Sequence, residues 1–285
     1  MIIVKRLYHY LKQEYAFALA IPALLWQIIF LYIPLIFVIG KALYAGNNAI
    51  SGTWLLCVCD WVHARIIFRS LEMSVMVASV CLLIAYPVAY YLALRIQRGK
   101  NIFLFLLTLP FWTNFLVQIY AWVFIVEQHG IINTLLLHLH IIKEPIHILH
   151  TKFIIGLVMV YSYLPFMIIP LFLVLEKFDK RLLEAAADLG ATRLQALFRV
   201  TVPLTLAGMR TGFLLVMVPV FGDYAICTVL GGGKYLFVGP LIAEYFLVAH
   251  DMTTGAAFLL ISLLILLAAM GIISIGIKAL ERKWV

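Results

Sequence analysis

The sequence predicts an all-α, polytopic membrane protein with about six transmembrane helices, and three observations lead there. Hydrophobic residues make up 65% of the 285-residue chain and charged residues 12%, with a mean hydropathy of +1.09. That leaves too little polar surface to coat a water-soluble globule. Apolar runs at 17–39, 71–94, 102–126, 153–175, 204–230 and 256–279 each meet the length of about 20 residues that crosses a hydrocarbon core of roughly 30 Å. The runs are unbroken rather than alternating, which excludes a β-barrel. Only helices then pair every backbone group inside lipid.

Taken in order, the first run follows Lys5, Arg6 and Lys12. It has the outline of a signal peptide but is too long for one and lacks a small-residue cleavage site, so it is expected to remain as the first span. The loop at 40–70 is short and apolar around Trp54–Cys59, which suits a segment lying along the membrane surface. The second span ends at Arg95, Arg98 and Lys100, and the third contains Pro110. The loop at 127–152 carries Gly130 and Asn133, and its apolar stretch from Ile131 to Ile142 reads as a short interfacial helix. The fourth span contains Pro165 and Pro170, and a polar insert at 176–203 separates it from the fifth, which contains Pro219 and Gly222. These prolines, with Pro22, Pro34 and Pro87, are expected to kink their helices, either for packing or to open a pathway. The segment 231–255 opens on Gly231-Gly232-Gly233, a turn with free backbone geometry. The sixth span ends at Lys278, Arg282 and Lys283. One domain over 1–285 is expected.

The cations orient this bundle. Fifteen of the 21 lysines and arginines fall before the first span, between the second and third, in or beside the 176–203 insert, and after the sixth. Lys41, Arg65, Arg69, Lys143, Lys152 and Lys234 fall on the opposite side. The positive-inside rule therefore makes both termini and the insert cytoplasmic. The net charge of +8 is then a topology signal, and cations dispersed among membrane-flanking loops argue against nucleic acid as a partner. Cys81 and Cys227 fall within spans, while Cys57 and Cys59 are too close for an easy disulfide and have no second pair to form a metal site. His129, His138, His140, His147 and His150 cluster in one loop without the carboxylate or cysteine set of a tetrahedral centre, so neither metal nor cofactor is expected.

The insert is the most informative segment. Leu182, Ala186 and Leu189, then Leu194, Leu197 and Phe198, recur every three or four residues, predicting two short amphipathic helices. Gly190 lies between them and permits the turn, and Pro203 closes the segment. Ala185 and Ala186 are small enough for a close approach, and Glu184 is early in its helix. A surface helix resting on lipid would have the same amphipathicity. The order Glu184-Ala185-Ala186, Asp188, Gly190, and then Val200-Thr201-Val202-Pro203 resembles the EAA loop of bacterial ABC importer permeases. In that family the loop docks into a cleft of the ATP-hydrolysing subunit. The resemblance implies a type I importer permease in the cell inner membrane. It also implies a cytoplasmic ATPase dimer, a second permease subunit, a periplasmic substrate-binding protein and surrounding membrane lipid as partners. The chain has no Gly-x-x-x-x-Gly-Lys-Ser/Thr, so it is not expected to be an enzyme, and ATP hydrolysis is expected on another polypeptide.

Further stretches are similar to permeases of spermidine/putrescine importers: Leu109-Pro110-Phe111-Trp112-Thr113-Asn114, Leu164-Pro165-Phe166-Met167, and Gly231-Gly232 with Val238-Gly239. Gln118 stands where an arginine is usual in that type, and Glu244 where a glutamine is. The acids agree with a cationic solute. At 1.5 Å per residue, Asp223 lies roughly 30 Å beyond Pro203 and Glu127 roughly 39 Å beyond Asn101, which places both near the outer mouth. Glu244 belongs to the same side. Such a mouth attracts ammonium groups, and Trp112, Tyr120 and Tyr224 offer aromatic faces to them. Pairing with cations, helix capping and plain packing are the other roles open to these residues. The same architecture importing an iron complex, thiamine or a phosphonate is an alternative, as is a stand-alone secondary transporter.

Overall fold

The computed structural model describes residues 21–45, 49–50, 60–96 and 98–284, so Lys5, Arg6, Lys12, Trp54, Cys57 and Cys59 lie outside the described residues. Helix α1 (Ile21–Leu43) leads into a two-residue antiparallel pairing of Tyr44–Ala45 with Ala49–Ile50. The helices that follow are α2 (Trp61–Arg95), α3 (Lys100–Thr108, continued by a 3-10 turn over Leu109–Trp112), α4 (Phe115–Val126) and α5 (Ile131–His138). Next come α6 (Lys152–Glu176), α7 (Arg181–Asp188), α8 (Arg193–Leu204), α9 (Leu206–Phe221), α10 (Ala225–Gly231), α11 (Val238–Val248) and α12 (Met252–Trp284). Among the described residues five stretches are long and apolar enough to cross a membrane, namely α1, α2, α4 taken together with α5 (Phe115–His138), α6 and α12, or six if α8 and α9, bent by 67°, count as one.

Three helices, α2, α6 and α9, pack against one another as the core, burying Val77, Ile154, Met159, Met167, Leu171 and Met217. The α6–α9 approach is close because Gly208 and Gly212 lie one turn apart on α9. A Cβ on Gly208 would come 3.2 Å from the Pro170 carbonyl, and one on Gly212 would come 3.2 Å from that of Met167. Small residues at this spacing let membrane helices touch backbone to backbone. Helix α12 packs on α9, and α1 packs on the far side of α12, with its large apolar side chains exposed.

Helix boundaries depart from the apolar runs in three places. Helix α2 starts ten residues before its run because Asp60 caps it, accepting from the Val62 N–H at 2.9 Å. Charges at Arg65, Arg69 and Glu72 lower hydropathy without breaking a helix. The third run is interrupted: the chain is extended at Thr113, and Asn114 restarts it by capping the Leu116 N–H at 2.9 Å. The fifth run is interrupted too, at Gly222-Asp223-Tyr224 between α9 and α10. By contrast, Pro165 and Pro170 sit within the continuous α6, and Pro87 within α2. The short helix expected over Ile131–Ile142 is α5, which stops at His138. Asn133 fixes it, with its amide donating to the carbonyls of Glu127 (3.1 Å) and Ile146 (3.0 Å) and accepting from the Ile146 N–H (2.9 Å).

Candidate functional site: a capped, uncovered segment and a buried polar cluster

At one end of the bundle, Lys100 pairs with Glu176 at 3.5 Å, Arg210 with Glu281 at 3.4 Å, and the Lys180 ammonium donates to the Leu94 carbonyl at 3.0 Å. These contacts gather the turn after α2, the end of α6 and the end of α12, three of the cation-rich segments that the charge tally grouped together. The Lys180 bond also fixes the root of the 176–203 insert to the end of α2.

The segment's shape follows from its caps. Asp179 accepts from the Arg181 N–H at 3.0 Å and starts α7. Gly190, at φ +81°, ends it: its N–H reaches the Ala187 carbonyl at 2.9 Å, while the Ala191 N–H reaches that of Ala186 at 3.0 Å. This pair of bonds is a Schellman closure, which requires a left-handed residue at position 190. Two residues on, Thr192 and Gln195 form a reciprocal capping box that starts α8. Helix α8 contains a π turn over Leu197–Thr201 and ends at Thr205, where the chain bends by 67° into α9. The bend has local causes. Pro203 contributes no donor, and the buried Thr205 hydroxyl turns back to the Thr201 carbonyl at 2.9 Å, within 3.2 Å of the Tyr86 hydroxyl on α2.

Of the expected coupling residues, Glu184, Ala185, Asp188 and Gly190 are exposed, Ala186 is half-buried and Pro203 is buried. The apolar face of the segment is uncovered: Leu189 is 89% exposed, Leu194 68% and Phe198 64%. Local capping holds its conformation, and burial contributes little.

The expected solute-path residues do not form one group. Asp223 is only 6% exposed. Its carboxylate accepts from the Tyr163 hydroxyl at 2.6 Å and from the Ile226 N–H at 2.8 Å. Tyr163 is about halfway along α6, so Asp223 sits against the middle of a spanning helix and not at the outer mouth that its helical rise implied. The rise was counted from Pro203, whereas Arg210, paired with Glu281, still belongs to the polar end of α9, and Asp223 lies only about 20 Å beyond it at 1.5 Å per residue. Gly239 lets α11 close over this turn; a Cβ there would meet the Asp223 carbonyl at 2.6 Å.

Beside Tyr163, the break between α3 and α4 forms a cavity of about 180 Å³ lined by Pro110, Thr113, Gln118, Ser162 and Tyr163. The Gln118 amide donates to the Pro110 carbonyl and the Thr113 hydroxyl, bridging the break. Tyr224 and Glu244 line a second cavity, of about 220 Å³, with Thr228 and Tyr235. Glu127 is exposed at the end of α4. Trp112 and Tyr120 lie on the outer face of the broken helix, away from both cavities, and Trp112 meets the Phe105 ring edge-on at 5.3 Å. Sequence reasoning missed Tyr163 and Ser162 as partners of this cluster. The available signal was three polar-capable residues, Tyr161-Ser162-Tyr163, in the middle of an otherwise apolar run.

Comparison with known proteins adds the following. Residues 82–284 match the family described as binding-protein-dependent transport system inner membrane component. The spermidine/putrescine transport system permease protein PotB of Haemophilus influenzae is 37% identical over 238 residues, covering 81% of this chain and 83% of that protein. Two solved structures share the fold at low identity. A bacterial ABC transporter involved in the import of the acidic polysaccharide alginate aligns with a TM-score of 0.72 at 15% identity, covering 98% of this chain and 99% of that one. The bacterial alginate ABC transporter in complex with an alginate pentasaccharide-bound periplasmic protein aligns at 0.70 and 16% identity, covering 98% of both chains.

Proposed function

Since the chain belongs to the family of binding-protein-dependent transport system inner membrane components, we propose that it is the permease subunit of an ABC importer that takes up spermidine or putrescine. The observation that carries this reading is the capped, uncovered segment 181–204, continuous through a bend with a core helix. In the proposal a separate cytoplasmic ATPase dimer grips Leu189, Leu194 and the small face at Ala185 and Ala186, with Glu184 and Asp188 at the rim. Movement of α7 and α8 passes through the Thr205 bend into α9, which ends two residues before Asp223. Both termini face the cytoplasm, a second permease subunit completes the pathway, and a periplasmic binding protein delivers solute at the opposite end.

A cationic solute is supported by the chemistry at the end of α9. A buried carboxylate in a membrane-spanning region is costly and is kept where a cation or proton uses it. Tyr163 and the α10 backbone hold Asp223 in place, and the helix break beside it offers the carbonyl of Pro110, the hydroxyl of Thr113 and the amide of Gln118. Interrupted helices of this kind supply polar groups at depth where intact helices cannot. Tyr224 and Glu244 provide an aromatic face and a charge on the approach. The test is uptake of labelled putrescine into proteoliposomes holding the chain with its co-purified subunits. ATP-dependent uptake, competed by spermidine but not by thiamine or a phosphonate, is expected. Uptake that ignores polyamines and follows one of the other solutes would refute the assignment.

A further inference from the structure

Away from the polar cluster, α2 and α6 leave a groove of about 480 Å³ on the side of the bundle. Met73, Met76, Val80 and Ile84 of α2 and Gly156 and Val160 of α6 form its apolar length, and Arg69, Glu72 and Lys152 lie at one end. From Arg69 to Ile84 the groove follows α2 for about 22 Å at 1.5 Å per residue, more than half of a core of roughly 30 Å. It therefore has the length of one leaflet. Gly156 keeps it open, since a Cβ there would come 3.3 Å from the Met76 Cε. The two methionines give it an adaptable wall.

The charged end has unmet demands. The apolar runs begin at 71 and 153, so Arg69 and Lys152 both sit where their helices leave the hydrocarbon. Among the described residues neither Arg69 nor Glu72 has an ion-pair partner, and the Lys152 ammonium rests over the Tyr235 ring at 5.7 Å. A cation at this depth without a protein counter-ion is matched to an anion that the membrane supplies, and a guanidinium suits the oxygens of a phosphate. Glu72 beside the two cations would repel a purely anionic headgroup and attract an ammonium.

We propose that this groove is a phospholipid site. One acyl chain lies along α2 and α6, the phosphate sits between Arg69 and Lys152, and Glu72 selects a headgroup with a primary ammonium, such as ethanolamine. The test titrates the full-length chain, purified with its associated subunits, with phosphatidylethanolamine, phosphatidylglycerol or phosphatidylcholine of identical chains, and reads retained lipid by native mass spectrometry. One phosphatidylethanolamine should be retained in preference to the other two. The Arg69→Gln/Lys152→Gln pair should lower retention of every lipid by roughly tenfold, and Glu72→Gln should abolish the preference for ethanolamine over glycerol. Val80→Trp fills the groove without touching the charges and should weaken all three lipids; if it fails to fold, the charge variants decide alone. Retention unchanged in the charge pair overturns the proposal. So does a Val80→Cys variant that cross-links to a helix of another subunit in native membranes, because a protein would then occupy the groove.

Discussion

The helices on either side of Thr205 are stabilised in opposite ways. On one side, α9 buries Phe213, Val216, Met217 and Val220 and brings Gly208 and Gly212 against the backbone of α6. On the other, α7 and α8 leave Leu189, Leu194 and Phe198 in the open and owe their shape to a Schellman closure, a capping box and the Lys180 tether. Packing therefore fixes where α9 lies, whereas backbone geometry fixes the shape of α7 and α8 and leaves their apolar face free. The proposed coupling role needs such a segment, one that keeps its shape without a partner and is continuous through the bend with a packed helix. The contrast also implies that substitutions on the two sides of Thr205 should fail differently.

Gly190→Pro should have the largest effect. It forbids the positive φ and removes the N–H that closes α7, a local cost of about 3 kcal/mol or more. ATP-dependent uptake should fall to background while the bundle's thermal melting is unchanged, and a normal uptake rate would break the comparison. Glu184→Lys should act in the same direction, read as loss of the co-purifying ATPase. On the other side, Gly212→Val forces a branched side chain into the Met167 contact, at a cost of about 1–3 kcal/mol. Here the melting temperature should fall and uptake should decline only with the amount of folded protein.

Asp223→Asn tests the far end of α9. Replacing a charged acceptor by a neutral one costs about 1.5–3 kcal/mol at a charge-assisted hydrogen bond, so polyamine uptake should fall by roughly tenfold or more. ATPase association, governed by the other region, should be retained. The smallest effect is expected at Asp251, which caps α12 by accepting from the Thr254 N–H at 3.0 Å. Asp251→Ala should cost about 1 kcal/mol. The Thr254 side chain, and then the Thr254 N–H, hold the Asp251 carboxyl below the usual carboxylate range. The stability difference from the variant is therefore fully present above that range and vanishes as pH falls through the depressed value. Screening of this exposed group keeps the effect small, and melting curves at neutral and acid pH will measure it.

Much of this was legible in the sequence because the signals were local. Apolar run length gave the first, second, fourth and sixth spans, whereas the third run breaks at Thr113-Asn114 and the stretch of span length there is Phe115–His138. The recurrence of Leu182, Ala186 and Leu189 before Gly190, and of Leu194, Leu197 and Phe198 after it, gave α7, α8 and their turn, and Ile131–Ile142 gave α5 in outline. The breaks were harder to read. Gly222-Asp223-Tyr224 interrupts a run whose hydropathy continues to residue 230, and Thr113-Asn114 is likewise flanked by apolar residues on both sides. The Gly208–Gly212 spacing was present in the sequence but is informative only once Met167 is known to oppose it. The Tyr163–Asp223 bond joins residues 60 apart, and no periodicity reports such a contact. Trp112 and Tyr120 illustrate the converse: residue type made them candidates, but which face of the helix they occupy depends on the break beside them.

The claim that the uncovered turn meets a cytoplasmic motor can be tested with one site-directed cross-link. In a background with Cys57, Cys59, Cys81 and Cys227 replaced by serine, Leu189→Cys should cross-link to a co-expressed ATPase subunit and should resist a membrane-impermeant maleimide applied to intact cells. Labelling from outside the cell, with no cross-link formed inside, would contradict the account.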